Sequence, residues 1–171
     1  PTDRRLTHER YNQTYKGVEV EYAEIFIHHK NNKIETINGK LAEGLNLSII
    51  PTITENTAII NAINHLGATN LFNWLDTNEE NEIKELTGNP NETNYPTGQL
   101  LIAKTGDEQD YSSSNFKLCW KFSINSLVPY SRNDVYVDAI NGVIVKNDNT
   151  NHYDGTAQLM FNYGNLIIDT K

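Results

Sequence analysis

Apolar side chains recur at every second position along several stretches of the chain, and at helical spacing along one. Val18, Val20 and Tyr22 alternate with Glu19, Glu21 and Ala23, the period of a strand with one buried face. Residues 11–15, a Lys16-Gly17 turn and residues 18–28 therefore predict a hairpin. Asn31-Asn32 turns the chain into a strand over 33–37, which Asn38-Gly39 is expected to end. Gln99–Lys104 is a shorter strand. Phe116, Leu118, Trp120, Phe122 and Ile124 then alternate strictly with Lys117, Cys119, Lys121 and Ser123, the clearest half-buried strand in the chain. A hairpin over 134–146 follows, its two β-branched runs flanking Asn141-Gly142. That turn is either a two-residue type I′ turn or a type I turn with Gly142 at a following bulge.

The helical period falls between these strands. Pro51 precedes Thr52 and Thr54, either a fitting N-cap, and Glu55 lies three residues after Thr52 as in a capping box. Ala58, Ile59, Ala62, Ile63 and Leu66 share one face, and Gly67 supplies the stop. A shorter acidic helix is expected after the apolar run 71–75, with Asp76 as its cap and Glu79, Glu80, Glu82, Ile83, Glu85 and Leu86 within it. Residues 88–98 and 107–115 are dense in turn formers and read as exposed loops. The N-terminal meander is too small to stand alone and needs a partner layer. One helix followed by antiparallel strands then predicts an α+β domain with the helix across a curled sheet. After Val145 the composition turns polar, so 146–155 reads as an exposed linker. Beyond it, 156–161 and 166–169 could form one more hairpin.

With 171 residues the chain is long enough to bury about 70% of its extended-chain surface. The net charge of -8 and pI near 5.0 argue against nucleic acid or an anionic membrane surface as partner. No run approaches the apolar length of a membrane span, and no signal-peptide pattern opens the chain. Pro1 as first residue suggests that an N-terminal segment was removed, and residues 1–7 read as a frayed or linker remnant. Cys119 is the only cysteine, which excludes an intrachain disulfide without identifying a compartment.

Candidate chemistry is sparse. His28 and His29 are adjacent in a strand and point to opposite faces, so they are poorly placed to chelate one ion. His8, His65 and His152 are scattered. No HExxH, GxSxG, Walker-type or GxGxxG stretch occurs. Cys119 shares a strand face with Lys117 and Lys121, which could lower a thiol pKa, but an inert packed thiol is the simpler reading. Glu19, Glu21, Glu24 and the cluster 79–85 read as solvated faces. Asp138 sits between apolar neighbours before a turn, where its carboxylate is best satisfied by the turn's own backbone N–H groups. None of this makes an active site.

Four stretches carry a family resemblance, two of them with a motif. Residues 10–20 resemble the R-[YF]-x-Q-x-[YF]-x-G-[IVL]-x-V signature of the fungalysin/thermolysin propeptide motif (FTP) through Arg10, Tyr11, Gln13, Tyr15, Gly17, Val18 and Val20. The sequence departs at Tyr22, where many members carry glycine. Residues 137–145 are similar to the V-D-A-x-T-G-x-[VI] ending of the PepSY domain, with Asp138 and Gly142 matched and Asn141 in place of threonine. The segment 51–66 resembles the PepSY entry helix. Gly155, Thr156 and Ala157, followed by Tyr163 and Gly164, resemble the first strand pair of a mature thermolysin-like protease.

The resemblance implies an FTP-like β unit over 6–50 and a PepSY-like, cystatin-like unit of a helix on a curled antiparallel sheet over 51–146. A maturation linker over 147–155 and the incomplete start of a catalytic domain over 156–171 would follow. The implied function is that of the N-terminal propeptide of a secreted zinc metalloendopeptidase, from a bacterial source, acting as intramolecular chaperone and inhibitor until cleaved. Its partner would be the catalytic domain in cis, and zinc, with calcium as a second candidate, would reside only there. This segment would not itself be an enzyme. Arg10, Tyr11, Gln13, Tyr15, Gly17, Val20, Asp138 and Gly142 would shape the fold or the interface. Cleavage would fall near Lys146, Asn149, His152 or Gly155. The alternative is a stand-alone extracellular PepSY-type binding or inhibitory module.

Overall fold

The computed structural model describes residues 6–67, 71–106, 109–151, 156–161 and 164–169, with side chains up to Asn151. Strands β1 (Leu6–Tyr15), β2 (Val18–Lys30) and β3 (Lys33–Lys40) form a ribbon with β2 in the middle. Both of its connections are two-residue turns with positive φ throughout, at 51° and 87° for Lys16-Gly17 and 53° and 59° for Asn31-Asn32. That backbone matches the twist of the flanking strands. The strand expected to end at Asn38-Gly39 instead runs on to Lys40, with Gly39 opposite Ile25. A Cβ on Gly39 would lie 2.1 Å from the Glu24 carbonyl oxygen. Glycine is required there by the close approach of β2, not by a turn.

The alternation Val18, Val20, Tyr22 breaks inside β2. Pairing with β1 jumps from Asn12 opposite Glu24 to Thr14 opposite Glu19, so β2 bulges over the intervening residues. Tyr22 takes φ 60°, costly for a bulky side chain, and is exposed, while Val20, Glu21 and Ala23 are buried. The glycine of the family signature would meet that backbone without strain. The bulge lets Val20 pair in parallel with Ile102 of β5 (Gln99–Lys104). This joins the ribbon to β6 (Phe116–Val128), β7 (Tyr130–Asp138) and β8 (Ile144–Asn149) in one sheet of order β1-β2-β5-β6-β7-β8. On this sheet β3 pairs β2, and the two-residue β4 (Leu71–Phe72) pairs β6. The α+β class holds, but the sheet is mixed rather than antiparallel throughout.

Helix α1 (Glu55–Leu66) lies across one face of this sheet. Of the two expected caps it is Thr54 that acts, its Oγ1 accepting from Thr57 N at 3.2 Å. Glu55 does not complete a capping box with Thr52; its carboxylate accepts from Gly98 N at 2.7 Å and ties down the loop instead. Ala58, Ile59 and Ala62 pack against Phe72, Phe122, Ile124, Val135 and Val137. The small alanines let helix and sheet approach closely. Asp76 caps α2 (Thr77–Thr87) as expected, accepting from Asn78 N and Glu79 N, and no residue of α2 is buried.

The opposite sheet face buries a smaller cluster of Leu101, Ala103, Cys119 and Tyr136. Strand β8 carries the polar run beyond Val145 as far as Asn149, where a linker was expected, with Lys146 opposite Tyr136 and Asn149 opposite Asn133. An edge strand draws its bonds from the backbone and tolerates polar side chains, so hydropathy does not mark its end. Strands β9 (Thr156–Phe161) and β10 (Gly164–Asp169) pair antiparallel, forming the expected hairpin.

Candidate functional site

The signature residues of the ribbon serve unequal ends. Arg10 Nε pairs with Glu24, and its guanidinium lies 5.9 Å from the Phe26 ring centroid. The half-exposed Tyr11 donates to Glu9 Oε2 at 2.8 Å, holding that carboxyl below its usual range. Gln13 sits at the bulge and grips Ala42 from both sides. Its Nε2 donates to Ala42 O at 3.0 Å and its Oε1 accepts from Ala42 N at 2.8 Å. A primary amide is the side chain that copies a strand's donor–acceptor pair, so glutamine at this position replaces a missing ladder rung. Tyr15 packs beside Val20, Ala23, Ala42 and Ile102, and Gly17 closes the first turn. Arg10 and Tyr11 face outward; Gln13, Tyr15 and Val20 hold the ribbon to the body.

The closing hairpin is built by Asp138 and Gly142. Asp138 Oδ1 accepts from Ile140 N at 2.9 Å and Asn141 N at 3.4 Å, the backbone role expected for it. Its Oδ2 accepts from Lys117 Nζ at 3.2 Å, a partner that spacing alone did not suggest. Only Gly142 of the dipeptide has positive φ, at 78°, so the bulged type I alternative is the one adopted. The turn then pins α1: Asn61 Nδ2 donates to Gly142 O at 2.9 Å, and Ala139 O accepts from Thr52 N and Ile53 N at 2.8 and 3.1 Å. The helix entry hangs on this hairpin.

Glu21 does not lie on a solvated face. It is buried on the sheet side away from α1, where its Oε1 accepts from Lys121 Nζ at 2.7 Å and from Tyr136 Oη at 3.0 Å. Lys121 also reaches Asp134 Oδ2 at 3.0 Å. Burial works to lower the Lys121 pKa, but hydrogen bonds and charge from Glu21 and Asp134 outweigh it and leave it raised. Burial, then the Glu21 charge, raises the Tyr136 hydroxyl. The Cys119 thiol, fully buried, is pushed up to about 12 by burial and then by Asp138, the opposite of the shift an activated nucleophile needs. This seam is structural.

Sequence spacing also hid a histidine contact. His8 Nδ1 and His28 Nδ1 meet at 2.5 Å across β1 and β2, while His29 faces Glu9 on the other side. Among the described residues no three His, Cys, Asp or Glu side chains gather as a metal site. Of the candidate cleavage positions, Lys146 and Asn149 lie within β8, and His152 and Gly155 fall outside the described residues.

No curated protein matches the chain. A family model does: residues 6–41 match the Fungalysin/Thermolysin Propeptide Motif. The matched segment begins with β1 and ends one residue beyond β3, and it contains every signature residue from Arg10 to Val20. Over the ribbon, then, this chain is similar to the propeptide motif of fungalysin- and thermolysin-type proteases.

Proposed function

We propose that the chain is propeptide of a secreted zinc metalloendopeptidase, assisting the folding of the catalytic domain in cis and holding it inactive until cleavage. The observation that carries this reading is the propeptide motif at 6–41, which falls on a ribbon whose outer strands β1 and β3 are paired but scarcely buried. On this reading residues 51–146 are the PepSY-like unit and α1 with its closing hairpin is the scaffold that presents the ribbon. Ile34, Ile37 and Leu41 are exposed on or beside β3, which among the described residues pairs with β2 alone. A free strand edge with apolar side chains suits docking by strand addition. The chain contributes surface rather than catalysis, and zinc belongs to the catalytic domain. Among the described residues no helix is long and apolar enough to cross a membrane.

The test is the chain added in trans to its cognate mature protease. Inhibition that persists with excess zinc, together with improved refolding of the denatured catalytic domain, is the expected result. Inhibition abolished by zinc points to chelation and sinks the docking reading. A chain that neither inhibits nor assists refolding sinks the proposal outright.

A further inference from the structure

Three lysines converge where the ribbon meets the body of the sheet. Lys40 ends β3, Lys104 ends β5 and Lys146 lies in β8. With Tyr22, Tyr111 and Asp148 they line a cavity of about 580 Å³. Lys104 is only 8% exposed, yet its ammonium has no hydrogen-bond partner among the described residues. It rests 4.2 Å from the centroid of the Tyr111 ring, and Lys40 lies 5.2 Å from the same ring while donating to Gln109 Oε1 at 3.1 Å. Lys146 is held by Asp148 at 2.6 Å. The nearby Asp110 carboxylate accepts from Ser112 N and Ser112 Oγ at 2.8 and 3.0 Å.

A ring face supplies part of what a desolvated ammonium loses, but it leaves three N–H donors without an acceptor. Two cations sharing one ring repel each other unless an anion sits between them. We propose that this cavity is a binding site for a carboxylate carried on an aromatic or aliphatic body. The carboxylate would accept from Lys104, with Lys40 beside it, and the body would fill the rest of the cavity beside Tyr22 and Tyr111. The cavity falls within the range of about 300–1,000 Å³ typical of small-ligand sites and exceeds what a lone inorganic anion fills. The carboxyl-terminal residue of a polypeptide and a free small acid share this chemistry. The chain's net charge of -8 repels anions in general, so capture here is local to Lys104 and Lys40, Lys146 being paired with Asp148. The site does not depend on the chain docking to a protease.

Calorimetric titration of the whole chain with N-acetylphenylalanine, N-acetylphenylalaninamide and inorganic phosphate tests it. Saturable binding of the acid, with the amide and phosphate each at least tenfold weaker, is expected. A short peptide ending in a free phenylalanine carboxylate separates the sources: tighter binding than the acid assigns a chain terminus, equal binding a small acid. Lys104→Met should weaken the acid at least tenfold while leaving the circular dichroism unchanged and the Tm equal or higher, since it removes an unpaired buried charge. Should that variant not fold, Lys40→Met carries the test, with at least a threefold loss. No saturable binding, equal binding of acid and amide, phosphate binding as tight as the acid, or a folded lysine variant that binds as well as the parent would each overturn the assignment.

Discussion

The ribbon β1–β3 and the helix-backed strands β6 and β7 belong to one sheet but are stabilised by different means. In β6 and β7 alternate side chains are fully buried against α1, so hydrophobic burial holds them. Every residue of β3 is exposed, and β1 is nearly so. The ribbon is held by backbone pairing, by two turns of positive φ, by the Gln13–Ala42 grip and, at the start of β2 alone, by Val20 and Ala23 packed beside Ile102. On the proposed function, the apolar side chains that β3 leaves exposed are free for a partner, whereas the helix-backed strands bury most of theirs. This contrast is why the propeptide motif on the ribbon carries the functional reading.

The comparison breaks first at Phe122. Phe122→Ala empties a site between helix and sheet and should cost about 3–5 kcal/mol, read from the urea midpoint. A loss below 1 kcal/mol would mean the helix is not the main source of stability. Next is the seam beneath the sheet. Lys121→Met leaves Glu21 buried with one hydrogen bond and should cost about 3 kcal/mol; a neutral result would show that the pair only specifies geometry.

The alkaline limb sharpens the same point. Cys119 has its pKa raised from 9.0 to about 12 in the fold, so its protonated form favours folding. Its contribution is whole below pH 9 and is lost as pH rises through about 12. Lys121, also raised, loses its contribution in the same direction. Stability should stay level from pH 7 to about 9 and fall above it, with Cys119→Ala falling less steeply. Equal slopes in the two proteins would remove the thiol from the account.

In the ribbon the effects are smaller. Gln13→Ala should cost about 1–2 kcal/mol by orphaning the Ala42 backbone groups, with faster amide exchange confined to residues near 42. Ile37→Ala should change stability by less than about 0.5 kcal/mol and, on the proposed function, weaken inhibition of the cognate protease. If it destabilised the chain as much as Phe122→Ala, β3 would not be an unburied strand.

Much of the fold is legible in local pattern. The alternation in β6, the α1 face, the Asp76 cap and the three turns are each set by neighbours within a few residues, which periodicity and turn chemistry report directly. The departures from local pattern share one cause. Gly39 looked like a turn because its real neighbour, the Glu24 carbonyl, lies across a strand pair. Glu21 looked solvated because Lys121 is a hundred residues away. Polar Lys146 and Asn149 looked like linker because edge pairing does not depend on hydropathy. Among the candidate site residues, the backbone role of Asp138 was readable from its place before a turn, but the Gln13 grip was not, since nothing near Ala42 announces it.

The amino-acid sequence by itself determined most of the elements, the Asp76 cap, the α+β class and the signature at the ribbon, because these rest on contacts close along the chain. Only the tertiary structure decided that the bulge at Tyr22 turns β2 toward β5 and makes the sheet mixed. It alone decided that Gly142 takes the left-handed position without Asn141, and that Lys40, Lys104 and Lys146 line one cavity. Those outcomes depend on which surfaces exclude water from each other, and residues far apart in sequence settle that only when they pack.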